Sequence, residues 1–533
     1  METLRFKKAM KKLIYSLVVC GMLFTACDKK LELANPNYPT TASYWKTSDE
    51  AFAGINAVYN ALALEGTYTR SFPGLTDSRG DDFYGSSPWT DLVLTGRFTI
   101  PSTSAPVSWI WRDHFIVVNR ANQVIEFVGK MSSDVIADDA KNRVVGQAYF
   151  LRALAYYNLA TTFKTVPLIT GPPADQNDYF PATATEDAIW NQIFEDLKAA
   201  ESMLPISYAN VVGPDQGQKG RATKGAAAGV LGKAYLYRKQ YDLAAKQFEK
   251  FLLAGGALNG VYSLMPNYRD NFKSVNENNA ESLFEVQFTA EGGTDGNWTG
   301  EPNVNWRQFE GISVTYAPPG ESWGGFKDYQ PTRWLYNEYK SEATVDGKSD
   351  PRLLATITSY EPADNSTTVY GLAWPYSNTS DIYTRKYTYD GLGLHQKETF
   401  ETGGINYRIL RYADILLMYA ETLNELNRTA EAYPFIQQVR TRAKLPNLAT
   451  VKPNMNKTQM RDQIAHERAL EFAIEGQRIN DIIRWGWLYD PAKLAELKLH
   501  DTDFNSWQPG KEYLPIPFGE LNTNKNLSPN PAN

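Results

Sequence analysis

A chain of 533 residues that is 43% hydrophobic and 21% charged holds ample apolar material for a packed core, which excludes the disordered classes. Its 54 basic and 60 acidic residues leave a formal charge of −6, so the basic footprint of a nucleic-acid binder is missing. Four histidines (His114, His395, His466 and His500) stand against 13 Trp and 32 Tyr, a supply that suits binding through aromatic faces better than metal or imidazole chemistry.

The N-terminus differs from the rest. Arg5, Lys7, Lys8, Lys11 and Lys12 precede an apolar run from Leu13 to Phe24, which is too short for a confident membrane span and reads as an export signal. The run closes on Leu23-Phe24-Thr25-Ala26-Cys27, which resembles a bacterial lipobox. Residues 1–26 are therefore predicted to be a lipoprotein signal peptide, Cys27 the lipidated residue, and 27–40 a polar tether through Pro36 and Pro39. Cys20 leaves with the signal, so no internal disulfide can form and the core alone must hold the fold. Acyl chains anchor a protein to a membrane without spanning it.

Residues 41–533 are expected to form one domain. Thr76 to Tyr84, closing on Trp89, reads as a polar segment with an aromatic beside it. Asp77, Arg79, Asp81 and Asp82 could hydrogen-bond vicinal hydroxyls while the Trp89 indole stacks on the C–H face of a sugar ring; a capped, solvated turn is the other reading. Helical spacing follows. Val144, Ala148, Leu151, Ala155 and Leu159 make one apolar stripe along Lys141–Phe163, and similar patterns cover 187–204, 223–237, 412–426, 433–444 and 460–474. Gly213, Gly217, Gly220 and Gly225 resemble a phosphate loop, but Ala226 follows and the Lys-Ser/Thr pair is absent; Gly220 to Thr223 reads instead as a turn and helix cap.

Leu231, Gly232, Tyr235, Ala244 and Phe248 meet the tetratricopeptide pattern in register, with Ala228 where Trp is usual. Gly232 and Ala244 would let two helices cross closely while Tyr235 and Phe248 fill the groove. Leu416, Ala420, Leu423, Ala432 and Ile436 form a looser copy. Between these copies Ser282 to Phe288 alternates like a strand. Residues 289–335 carry many glycines beside Trp298, Trp306, Tyr316, Trp323 and Trp334, so they read as long loops. Loops bearing large rigid aromatics are where recognition tends to sit, which makes Trp298, Trp306, Tyr316 and Trp323 candidate ligand contacts.

Other motifs fail on chemistry. His466-Glu467 opens a zinc-protease pattern, but Leu470 replaces the second His ligand. Glu471 and Glu475 sit one helical turn apart and could pair as glycosidase carboxylates; a salt-bridged helix with Arg468 and Arg478 is the favoured reading. Asp501, Asp503, Asn505 and Glu512 copy part of a calcium loop, yet Ser506 replaces the turn glycine and Pro509 leaves no exiting helix. No metal or other cofactor is expected. Pro515, Pro517, Pro529 and Pro531 mark an irregular tail laid over the body.

The ordered set of short motifs resembles one family. After the lipobox come Pro36-Asn37, Tyr44-Trp45-Lys46-Thr47, Ala121-Asn122 and Gly146-Gln147-Ala148-Tyr149-Phe150-Leu151-Arg152-Ala153. Glu281-Ser282-Leu283-Phe284-Glu285, Arg408-Ile409-Leu410-Arg411-Tyr412-Ala413-Asp414, Glu467-Arg468-Ala469-Leu470-Glu471-Phe472, Glu475-Gly476-Gln477-Arg478 and Leu514-Pro515-Ile516-Pro517 follow. Together they resemble the SusD-like (RagB/SusD) outer-membrane lipoproteins of Bacteroidetes. The resemblance implies a mainly α fold: a tetratricopeptide-like helix-pair superhelix, an irregular, loop-rich second half with an insertion at about 289–400, and a few short strands. It also implies a non-catalytic, lipid-anchored cell-surface role in the outer membrane. There the protein would bind an oligo- or polysaccharide and deliver it to a SusC-like TonB-dependent transporter partner. A lid or scaffold for peptide import and a surface glycoside hydrolase are the alternatives.

Overall fold

The stripe from Val144 to Leu159 lies along a 26-residue helix, Asp138–Phe163, in the computed structural model, which describes Met10 and residues 44–290, 309–392 and 403–530. Asp138 and Asp139 occupy its first turn, where carboxylates complement the helix dipole, and its apolar side chains are buried. The elements used below are α1 (Ser71–Asp77), β1 (Phe83–Gly85), α2 (Ala105–Gln123), α3 (Asp138–Phe163), α4 (Glu186–Met203), α5 (Lys224–Tyr237) and α6 (Tyr241–Leu252). The second half contributes β2 (Ser282–Val286), β3 (Tyr329–Pro331), β4 (Ile357–Ser359), β5 (Ile382–Thr384) and β6 (Tyr407–Arg411). It closes with α7 (Tyr412–Glu425), α8 (Thr429–Arg442), α9 (Lys457–Phe472), α10 (Arg478–Trp485) and α11 (Pro491–His500). Residues 51–533 form one compact unit and residues 1–50 a separate one.

Helix pairs carry the first half. Thr223 caps α5 by accepting the Ala226 N–H at 3.2 Å, as the turn reading of Gly220 to Thr223 requires. α5 then crosses α6 closely because Gly232 has no side chain: a Cβ there would sit 2.5 Å from the Phe248 ring. Tyr235 lies against Phe194 of α4, ring centroids 4.7 Å apart, and so ties the pair to the preceding helix. The looser copy is also a helix pair. Leu416 and Ala420 of α7 meet Ala432 and Ile436 of α8 in one buried cluster with Val439, Met460 and Ile464. α8 begins four residues before the predicted start at 433, with Pro434 inside it. Proline lacks one N–H, and this one falls on an exposed face in the second turn, where water can satisfy the freed carbonyl.

Strands are few and paired in twos, all antiparallel. β1 pairs with β3 (Phe83 opposite Pro331), β4 with β5 (Ile357 opposite Thr384), and β2 with β6 (Val286 opposite Tyr407) through an irregular register. The stretch read as long loops, 289–335, is partly ordered within its described residues: Ile312–Tyr316 makes a helical turn and β3 follows. Ile312, Val314 and Tyr316 are buried, which gives that turn its stability. The proline-rich tail does lie over the body. The Leu514 N–H donates to the Thr162 carbonyl at 2.8 Å, and the Asn524 amide donates to the Pro181 carbonyl at 2.8 Å.

Candidate functional site

The segment from Thr76 to Phe83 is not a solvated loop but buried throughout. Asp77 closes α1 and is buried; one carboxylate oxygen accepts the Gly476 N–H at 2.6 Å and the other the Tyr316 hydroxyl at 2.8 Å. Burial pushes its carboxyl up to about 7 against those two bonds. Arg79 is buried as well and donates to the backbone carbonyls of Leu75 (3.1 Å) and Glu512 (2.7 Å). Desolvation pulls its guanidinium down to about 10. Asp81, 0% exposed, is held by Arg478 from α10, at 2.8 Å to one nitrogen, and by His500 Nδ1 at 2.7 Å. Burial raises its pKa, but the Arg478 charge and the hydrogen bonds from Arg478 and His500 outweigh that and hold it well below the carboxylate range. In buried Asp82, desolvation and then the Asp81 charge push the carboxyl far up. The expected polar loop is covered because the region from Gly476 to His500 folds back over it and supplies its partners.

Two of the candidate aromatics are also interior. Tyr316 is wedged between Phe83 and Tyr329, each centroid 5.3 Å away. Trp323 is 4% exposed, stacks on Tyr370 at 5.1 Å and 9°, and donates its indole N–H to the Pro318 carbonyl at 2.8 Å. Trp298, Trp306 and Cys27 lie outside the described residues. Trp89 is different. It is half-buried, tilted at 58° against the equally half-buried Trp109 of α2 with centroids 6.0 Å apart, and the Arg70 guanidinium lies 5.8 Å from its ring. Arg70 is itself fixed by Glu65 at 2.6 Å. Beside β1 the Gln330 amide donates to Ser86 Oγ at 2.7 Å, and Ser86 Oγ donates to the Lys327 carbonyl at 2.5 Å.

A second aromatic row flanks the same loop. Tyr360, Trp374, Tyr376 and Tyr383 follow one another at 5.6, 5.2 and 4.6 Å, and the Tyr376 hydroxyl donates to the Pro319 carbonyl at 2.9 Å. Tyr360, Trp374 and Tyr376 are half-buried. The loop from Pro318 to Lys327 thus touches Ser86 at one end and Tyr376 near the other, with Trp323 packed inside it as a stiffener. Trp109, Trp374 and Tyr376 were missed in the sequence. Trp109 hides among the core positions of α2, whereas Trp374-Pro375-Tyr376 is a local aromatic signal in the sequence.

The paired carboxylates have no room for catalysis. Glu471 contacts Arg411 at 3.0 Å, Arg352 at 3.2 Å and Arg442; Glu475 contacts Arg411 at 2.8 Å and Lys386 at 2.9 Å. Burial raises the Glu471 pKa, yet the three guanidiniums overcome it and hold the carboxyl at about 2, so it cannot act as a proton donor near neutrality. The cavity beside Glu475 measures about 50 Å³. A ligand cleft needs some ~300 Å³ or more. These groups form a buried ionic lattice that ties β6, α8 and α9 together.

The calcium-like residues are likewise engaged. Asp501 caps a short turn by accepting the Asp503 N–H at 2.9 Å, Asp503 pairs with Arg97 at 3.2 Å, and Glu512 accepts the Tyr489 hydroxyl at 2.8 Å. His466 faces Glu338 at 3.0 Å. Among the described residues no group of three or more His, Cys, Asp or Glu side chains could hold a metal ion, and no helix is long and apolar enough to cross a membrane.

Comparison with known proteins agrees with this architecture. Residues 280–532 match the SusD family model, and residues 56–236 match the family described as "Starch-binding associating with outer membrane". SusD-like protein P2 of Formosa agariphila is 27% identical, covering 98% of this chain and 99% of its own length. A SusD superfamily protein of Bacteroides vulgatus ATCC 8482 superposes with a TM-score of 0.78 at 26% identity, over 92% of this chain and 99% of that one. A laminarin-binding SusD-like protein superposes with a TM-score of 0.72 at 26% identity, over 92% and 100% of the two chains.

Proposed function

The chain belongs to the SusD-like (RagB/SusD) family, and from that premise we propose that it is a non-catalytic, lipid-anchored glycan-binding protein of the outer-membrane surface. It captures oligo- or polysaccharide and passes it to a SusC-like TonB-dependent transporter. The observation that carries the reading is the Trp89–Trp109 pair: two half-buried indoles tilted against one another, with the Glu65–Arg70 ion pair beside them. An indole face stacks on the C–H face of a pyranose, while Gln330 and Ser86 nearby offer neutral hydrogen-bonding groups to hydroxyls. A relative of the same fold is laminarin-binding, which supports a saccharide as the ligand class. Trp298 and Trp306 remain candidate contacts in the same reading, while the buried Asp77, Arg79, Asp81, Asp82, Tyr316 and Trp323 serve it as scaffold.

The test is a native-gel screen of residues 28–533 against neutral polysaccharides, with reducing ends assayed in parallel. The expected outcome is retardation by at least one polysaccharide and no release of reducing ends. Retardation by none would remove the glycan reading, and release of reducing ends would make the protein a hydrolase.

A further inference from the structure

Away from the Trp89–Trp109 face, a groove of about 560 Å³ opens between the Tyr262–Leu264 segment and α8. Pro434, Gln437, Gln438 and Thr441 line one wall; spaced three and four apart, they share a single helical face. Tyr262, Ser263, Leu264 and Tyr412 make the other wall, and no charged side chain is among the lining residues.

The walls are rigid where rings meet solvent. The Tyr262 hydroxyl is hydrogen-bonded to that of Thr223 at 3.1 Å, its ring leans on Phe251 at 5.9 Å, and it occupies space left by Gly225, where a Cβ would lie 2.2 Å from that hydroxyl. Tyr412 and Leu264 pack onto the buried cluster of α7, α8 and α9. Gln437 is fixed too: its carbonyl accepts the Leu448 N–H at 2.8 Å and its amide donates to Thr441 Oγ1 at 3.0 Å. That leaves the Thr441 hydroxyl proton and the second amide proton of Gln437 to donate into the groove. Ser263 and Gln438 are exposed at its rim.

Two anchored tyrosines, a proline, and neutral amides and hydroxyls form a lining suited to an uncharged polyhydroxylated ring. A second cleft, of about 340 Å³ at Trp485 and Trp487, is less suited. Three ion pairs cross it (Arg484–Glu421, Arg461–Glu425 and Lys493–Asp462), and cations already lie over the indoles: Arg484 at 4.9 Å from Trp485, with Arg478 at 5.1 Å and Lys493 at 4.9 Å from Trp487.

We propose that the groove between Tyr262, Tyr412 and the Pro434–Thr441 face of α8 is a second saccharide site. The proposal rests on the glycan-binding reading above. Two sites on one body engage a long polysaccharide together, so the second binding step becomes intramolecular and raises retention of polymers far more than of short oligomers.

Affinity gels containing laminarin, starch or another neutral polysaccharide of a panel test this with wild type, Tyr412→Ala, Ser263→Arg and a Trp89→Ala/Trp109→Ala double variant. Ser263 is exposed, so the arginine fills the groove without disturbing the core, and thermal melts confirm folding of every variant. Groove variants should bind the polymer roughly tenfold or more weakly, while a short oligosaccharide of the same linkage keeps its wild-type affinity at the Trp89–Trp109 face. Residual retention in the double variant should vanish when Ser263→Arg is added. Unchanged polymer binding in both groove variants overturns the second site and leaves the first. Loss through the groove variants with none through the double variant keeps the groove and overturns the Trp89–Trp109 assignment. Retention by no polysaccharide, or groove-dependent binding of a proline-rich peptide instead, overturns the proposal.

Discussion

Arg478 lies between Trp334 and Trp487, 5.3 and 5.1 Å from their rings; its Nε and one terminal nitrogen donate to Asp81, and the other terminal nitrogen donates to the Ala465 carbonyl at 3.4 Å. Such a buried pair contributes little over an apolar substitute, but removing one partner strands the other. Asp81→Ala should therefore destabilise the protein by about 3–5 kcal/mol in denaturant unfolding, and by more than Asp81→Asn. Neighbouring carboxyls respond to pH in opposite directions. Asp77 ionises at about 7 in the fold against an ordinary 3.8, so its contribution is full below about pH 4 and fades as pH rises through 7. Glu471, held at about 2 against 4.5, contributes fully above 4.5 and loses that contribution as pH falls towards 2. Urea midpoints from pH 3 to 8 should show Asp77→Asn gaining on wild type as pH rises. A difference that stays flat across this range contradicts the assignment for Asp77.

Elements explain which parts of the fold were readable. The α5–α6 pair was legible because Gly232, Tyr235 and Phe248 interact over a few residues, and the small residue sits where the large ring arrives. Gly232→Val should cost about 1–3 kcal/mol by overpacking, and Phe248→Leu should recover part of it in a double-mutant cycle. Helix ends are legible within a few residues; the largest offset is at α8, whose first turn from Thr429 precedes the apolar pattern. Residues 76–82 were illegible for a physical reason. Their partners Gly476 and Arg478 lie 399 and 397 positions away, so a sequence dense in Asp and Arg looked solvated when it is an interior ion network. The face at Trp89 is hidden for another reason: its second indole, Trp109, comes from among the core positions of α2 rather than from the aromatic loops.

At the scale of the whole molecule, a rigid body bearing aromatic faces is joined in sequence to a lipobox-like N-terminus. Replacing Cys27 by Ser should abolish incorporation of a labelled fatty acid into the protein, since Cys27 is the residue expected to be acylated. Fatty-acid labelling that persists in that variant contradicts lipidation at Cys27. The central claim is saccharide capture at the Trp89–Trp109 face. Its most direct test is calorimetric titration of an oligosaccharide from the retained polysaccharide into wild type, Trp89→Ala, Trp109→Ala and a Trp485→Ala control. The account predicts a loss of about tenfold or more in affinity, near 1.4 kcal/mol, for each of the first two variants and none for the control. Wild-type affinity in both Trp89→Ala and Trp109→Ala would contradict it.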